Sequence, residues 1–156
     1  MNFTNPPDAE IEALMRGVKR IAVIGLSPRP DRPSHSVARF LQSRGYEIVP
    51  VNPGQSRLLD LPCYPDLAAV PGRVDLVDVF RSPEHVPAVV EQFLRRDDPA
   101  LWLQEEVIDP VSAEKARAAG RFVVMDRCTA KVVARLEPSS PHNSRCEQAR
   151  RKDRQV

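Results

Sequence analysis

At 156 residues, with 42% hydrophobic and 28% charged content, the chain has the makeup of one globular domain large enough to bury a core. No apolar run approaches the roughly 20 residues of a membrane helix, and the start, MNFTNPPDAE, lacks the basic and apolar segments of a secretion signal, so the expected location is cytoplasmic with no membrane partner. The net charge of +2 belongs to residues 137–156, where Arg145, Arg150, Arg151, Lys152 and Arg154 outnumber Glu137, Glu147 and Asp153; the rest is balanced, so nucleic acid is not an expected partner.

The first predicted element is a helix over residues 8–18. It opens at Pro7-Asp8 and puts Ile11, Leu14, Met15 and Val18 on one face. Residues 20–25 follow as a buried strand that ends at Gly25. Residues 26–33 form a proline-rich loop holding Arg29 and Arg32. Val37, Phe40 and Leu41 then fall at helical spacing, which predicts a helix over 34–44 closed by Gly45. A second strand covers 46–51. Residues 52–73 are rich in proline and glycine, with one short helical turn expected at 64–67; a ligand-contacting loop and a plain surface loop stay equally open there.

A third strand covers 74–80 and is interrupted by Asp75 and Asp78. A carboxylate inside a strand must be hydrogen-bonded, so Asp78 is read as an organiser of structure in preference to a catalyst. Ser82-Pro83 opens a helix that buries Val86, Val89, Val90, Phe93 and Leu94. A fourth strand, 100–104, precedes a helix from Asp109-Pro110 to Gly120. A fifth strand, 121–125, precedes a last helix over 129–136. Residues 1–136 are therefore one domain, and 137–156 read as a basic, disordered tail. Cys63, Cys128 and Cys146 form no C-x-x-C pair, which argues for free thiols and against zinc.

Alternating strands and helices give an α/β, Rossmann-like, doubly wound sheet of about five parallel strands. The expected strand order is 3-2-1-4-5, with the switch point between the first and fourth strands. Gly25, Asn52, Phe80 and Gln104 then end their strands on one rim. Strand, glycine turn, basic loop and helix together suit a phosphate, because a helix N-terminus offers free N–H groups and partial positive charge. Ser34 and Ser36 either cap that helix or donate to phosphate. A surface loop stiffened by proline fits the same residues equally well. The dinucleotide fingerprint G-x-G-x-x-G is absent, since the turn reads Gly25-Leu26-Ser27-Pro28-Arg29-Pro30. The second strand ends Val49-Pro50-Val51-Asn52 with no ribose-binding acid.

Gly25-Leu26-Ser27, Pro30-Asp31-Arg32-Pro33-Ser34, Val77-Asp78-Val79-Phe80-Arg81, Leu101-Trp102-Leu103-Gln104 and Val124-Met125-Asp126-Arg127-Cys128 occur in one order across residues 8–136. In this the chain resembles the small stand-alone CoA-binding proteins, whose domain is similar to the CoA-binding domain of the succinyl-CoA synthetase α subunit. The resemblance implies CoA, or an acyl-CoA, over the first strand-to-helix turn, and no established reaction. It implies that Arg29, Arg32 and Ser34 meet the phosphates. Gly25, Leu26 and Ser27 would cradle the diphosphate through backbone N–H groups. Val51, Asn52 and Pro53 would wall the adenine, Phe80 and Arg81 would flank the arm, and Gln104 would complete the rim. The family usually has glycine where this chain has Glu106. Trp102 is read as core and Cys128 as structural.

The expected function is therefore to bind CoA as a small-molecule ligand without catalysis. An enzyme using CoA or another nucleotide, with Asp78 or Cys128 reactive, is the alternative. A nicotinamide-dependent oxidoreductase is disfavoured by the missing glycines and acid. No protein partner is identifiable from the residues.

Overall fold

The computed structural model describes residues 3–136. The expected tail, 137–156, and with it Cys146, lies outside them. The main elements are α1 (Asp8–Gly17), β1 (Arg20–Ile24), α2 (Pro33–Ser43), β2 (Glu47–Val51), the small hairpin of β3 (Arg57–Leu58) and β4 (Leu61–Pro62), β5 (Leu76–Val79), α3 (Val86–Leu94), β6 (Ala100–Leu103), α4 (Pro110–Ala118), β7 (Phe122–Met125) and α5 (Thr129–Ala134). Single 3-10 turns occur at Leu67–Ala69 and Pro83–His85. The first is capped by Asp66, which accepts the Ala69 N–H at 3.0 Å, so the short turn expected near 64–67 is present.

Five strands form one all-parallel sheet in the order β2-β1-β5-β6-β7. The Rossmann-like class is as expected, but the order 3-2-1-4-5 is not. The third long strand, β5, pairs with β1 and does not flank β2. Pro50 supplies the physical reason. The Glu47 N–H points inward to Lys19 O and the Asn52 N–H points outward to Tyr64 O. By the two-residue period, Pro50 also points outward, and it has no N–H to give a further strand. β2 is therefore an edge, met there by a single bridge between Val51 and Tyr64. The switch point moves accordingly to the gap between β1 and β5.

Register aligns the strand ends. Ile24 pairs with Val51 and Val79, Val79 with Leu103, and Leu103 with Met125. The residues that follow thus emerge at one level.

The two faces of the sheet carry separate apolar layers. One joins Val23, Trp102 and Val124 to Ile11 and Met15 of α1, Val37 and Leu41 of α2, and Val132 and Val133 of α5. The other joins Val77, Val79, Leu101 and Leu103 to Val86, Val90 and Phe93 of α3 and Ala113 and Ala116 of α4. Trp102 is fully buried, as expected, and its Nε1 donates to Arg127 O at 2.9 Å.

Polar residues fasten the far end of the sheet. Asp75 accepts the N–H groups of Lys19 and Arg20 at 3.0 and 2.9 Å. Buried Asp98 accepts from Val74 N and from Arg96, whose guanidinium also holds the carbonyls of Leu67, Val70 and Gly72. At the β7 edge, the Asn5 side chain donates to Met125 O at 2.9 Å and accepts the Met125 N–H at 2.8 Å. One amide thereby satisfies backbone groups that an open edge leaves unpaired.

Candidate functional site

Gly25 sets the floor of the site. Its φ is +84°, and a Cβ placed there would lie 2.4 Å from Phe80 O. Only glycine fits both the left-handed backbone and that approach. Above it opens a cleft of about 590 Å³ between the α2 start, the residues after β5 and the residues after β6. Its walls include Ser27, Arg32, Ser34, Phe80, Arg81 and Gln104 from the expected set. Ser82, Pro83, Glu105, Glu106, Val107 and Cys128 complete it. A smaller recess of about 130 Å³ shares Gly25 and Arg81 with the cleft and is lined by Val51 and Pro53.

Not every expected residue lines the cleft. Leu26 is fully buried in the core. Asn52 braces the loop, its Nδ2 donating to Leu26 O at 2.9 Å and its Oδ1 accepting the Gly54 N–H at 2.7 Å. The loop is also held from within. Ser34 Oγ accepts the Ser27 N–H at 2.9 Å, and Ser27 Oγ accepts the Arg29 N–H at 3.1 Å. The Ser27 N–H thus has an internal partner already. At the α2 start, Pro33 has no N–H and the His35 N–H bonds Arg32 O. The helix terminus therefore offers fewer free donors than the motif promises.

The arginines divide in the same way. Arg29 is exposed and pairs with Asp31 at 3.4 Å, so Asp31 orients Arg29 and not its neighbour Arg32. Arg32 and Arg81 line the cleft, and among the described residues their guanidiniums have no carboxylate or carbonyl partner. Arg96 and Arg121, by contrast, are fully engaged in binding carbonyls and Asp98. Two uncommitted guanidiniums beside one cleft favour an anionic occupant.

A buried polar ring lies beneath the floor. Gln104 Nε2 donates to Asp78 Oδ1 at 2.7 Å and to Thr129 Oγ1 at 2.8 Å, and Thr129 Oγ1 donates to Asp78 Oδ2 at 3.1 Å. Asp78 shares its row of the sheet with Val23 and Trp102. Burial pushes its carboxyl up from 3.8 to about 7, against the opposing effect of the Gln104 and Thr129 hydrogen bonds. Thr129, whose nearest ring partner is 25 residues away in the chain, carries no sequence signal of this role.

The far wall carries acid. Glu105 is balanced by Lys131 at 2.7 Å. Glu106 has φ +69° and donates its N–H to Asp126 Oδ1 at 2.8 Å, and Asp126 itself has φ +61°. Glu106 thus occupies the left-handed conformation that a glycine would take without strain. Cys128 is half-buried on this wall.

The family model described as a CoA binding domain matches residues 19–134. The chain belongs to the CoA-binding domain family. That CoA-binding domain match runs from just before β1 to the end of α5 and includes every residue of the rim. The chain is 43% identical over 124 residues to the uncharacterized protein YneT of Bacillus subtilis, covering 80% of this chain and 92% of that one. It is 33% identical over 79 residues to an ADP-forming acetate–CoA ligase of Archaeoglobus fulgidus, which is 51% of this chain and 12% of the ligase. Among solved structures, a hypothetical protein from Pyrococcus horikoshii matches with a TM-score of 0.80 and 31% identity, covering 87% of this chain and 99% of that one.

Proposed function

We propose that the cleft holds CoA or an acyl-CoA and that the chain acts as a cytoplasmic binding module without catalysis of its own. The observation that carries this reading is the pair Arg32 and Arg81, two guanidiniums beside the glycine floor that have no carboxylate or carbonyl partner among the described residues. Family membership supports the ligand class. Phosphate groups would meet Arg32 and Arg81, with Ser27 and Ser34 close by. Arg29 would add to them at the outer edge, since an exposed pair such as Arg29–Asp31 is worth at most about 1 kcal/mol and gives way easily. The adenine would lie toward the recess of Val51 and Pro53, beside Asn52 and the Gly25-Leu26 turn. The thin arm would pass Phe80 and cross Gln104.

A second reading, an enzyme using CoA or another nucleotide, is favoured by Cys128 on the cleft wall. A nicotinamide ligand fits poorly, because Ser27 and Pro30 stand where the fingerprint needs glycine.

Calorimetric titration of the purified protein with CoA, dephospho-CoA and NAD at one salt concentration tests the reading. CoA should bind tightest and NAD weakest. Arg32→Ala should weaken CoA by about 1.5–3 kcal/mol, the scale of one charge-assisted contact. NAD binding as tightly as CoA, or unchanged CoA affinity in the variant, would sink it.

A further inference from the structure

Gln104 is the first residue after β6, and its carboxamide stands between the cleft and the buried ring. Both hydrogens on Nε2 are directed inward, one to Asp78 and one to Thr129. Thr129 passes its own hydrogen to Asp78. The ring therefore has a direction. Gln104 donates twice, Thr129 accepts once and donates once, and Asp78 only accepts. This order requires an acceptor at both Asp78 oxygens, which is the ionised carboxylate. Among the described residues no group donates to Gln104 Oε1, and that oxygen is not sealed from solvent. The floor consequently shows the occupant of the cleft a hydrogen-bond acceptor.

A proton on Asp78 breaks the order. The ring then holds one hydrogen more than it has contacts, and one buried donor is left without an acceptor. A half-turn of the Gln104 carboxamide removes the stranded donor: Asp78 and Thr129 both donate to Oε1, the Thr129–Asp78 contact, the longest of the three at 3.1 Å, is left without a hydrogen, and Nε2 swings to the cleft. The floor then shows a donor where it had shown an acceptor.

We propose that Asp78 and Thr129 are positioning residues that set the hydrogen-bond polarity of the cleft floor through Gln104, so that ionised Asp78 makes the floor accept from an amide N–H of the ligand's arm and protonated Asp78 withdraws that contact. This rests on the CoA reading, since the arm of CoA carries two such amides. The geometry isolates the switch. Val23 and Trp102 flank Asp78 in the sheet, and α1, α2 and α5 cover it with apolar side chains such as Met15, Val37 and Val132. Among the described residues no charged side chain faces it. Of the ionisable groups on the covering helices, Asp8, Glu10 and Arg16 of α1, Arg39 of α2 and Lys131 of α5 are exposed and Glu12 of α1 is half-buried, and the remaining ones near the ring lie at the rim. Glu105 is paired with Lys131, Glu106 and Cys128 line the cleft, and the His35 ring contacts Ser27 O. Burial holds the Asp78 carboxyl near 7, which sets the change close to neutral pH.

Two measurements on the full chain test this. The first is CoA affinity by calorimetry between about pH 6 and about pH 8, for the natural protein and for Asp78→Asn. The natural protein should lose about 3- to 10-fold more affinity than the variant on going to the lower pH, the scale of one hydrogen bond. The variant measures the share due to the ligand's own phosphate, which titrates near pH 6. The second is the Gln104 side-chain amide signal in ligand-free protein, followed by nuclear magnetic resonance. It should shift with a midpoint near neutral pH, keep doing so in Thr129→Ser, and stop in Asp78→Asn. Equal pH slopes in the two proteins, or a Gln104 signal that does not move, would overturn the proposal. Failure to bind CoA at any pH overturns the proposed ligand, while the ligand-free spectra decide the polarity switch by themselves.

Discussion

Replacing Asp78 with Asn should change how stability depends on pH, and the size of the effect follows from burial. The side chain is fully buried, and its carboxyl is pushed up from 3.8 to about 7. Between those values the folded protein keeps a proton that the unfolded chain has released. The native state binds more protons in this window, so stability falls as pH rises through it. The rise from 3.8 to about 7, at about 1.4 kcal/mol for each tenfold change in proton affinity, amounts to about 4 kcal/mol once the folded carboxyl has ionised. Near pH 5 the unfolded group is already ionised, and somewhat under half of this has been lost. Roughly 2–3 kcal/mol should therefore disappear between about pH 5 and about pH 8. Asn has no such titration. Any mismatch it introduces with Gln104 or Thr129 is the same at both pH values and cancels in the comparison. Urea unfolding of both proteins at the two pH values gives this double difference directly. The Asn variant should gain on the natural protein by roughly 2–3 kcal/mol at the higher pH. A double difference under about 0.5 kcal/mol would show that Asp78 does not titrate in this range, and the reasoning from burial would fail.

Other substitutions separate the rim from the scaffold. Gly25→Ala should cost at least about 1–2 kcal/mol from backbone strain alone, and more from the contact with Phe80 O, giving a lower melting temperature together with weaker CoA binding. Asp98→Ala should cost about 3 kcal/mol in urea unfolding, the low end for breaking a buried pair, because the half-buried Arg96 keeps its carbonyl partners but loses its carboxylate and the buried Val74 N–H loses its acceptor. Glu106→Gly should raise stability by about 1 kcal/mol by relieving a left-handed backbone, with its bond to Asp126 kept; an unchanged urea midpoint would show that the strain is offset elsewhere.

Much of this architecture was legible in local pattern. Val37, Phe40 and Leu41 mark α2 because helical periodicity is a short-range property. The apolar run ending at Gly25 marks β1 for the same reason. The convergence of Gly25, Phe80 and Gln104 on one rim follows from parallel strands of nearly equal length. The Asp109 cap was equally visible, and its carboxylate accepts the Ser112 N–H as expected. The meaning of Glu106 was half visible: the resemblance implies glycine there, and the chain adopts at Glu106 the left-handed backbone that glycine takes without strain.

Strand order was not legible, although Pro50 carried a clue to it. A residue pattern says that a strand is buried, but neighbours across a sheet are chosen by packing between distant segments. The loop contacts escaped for a related reason. Arg29, Arg32 and Asp31 are adjacent in the chain, yet which arginine the acid pairs with depends on how the proline-stiffened backbone turns. The ring under the cleft is the furthest case. Asp78 lies 26 residues from Gln104 and 51 from Thr129, and each reads alone as an ordinary polar residue. Residue type set the hydrogen-bonding capacity of each. Only the closing of β5, β6 and α5 over one another removed the water, brought the three within about 3 Å, and raised the carboxyl that a solvated aspartate would keep low.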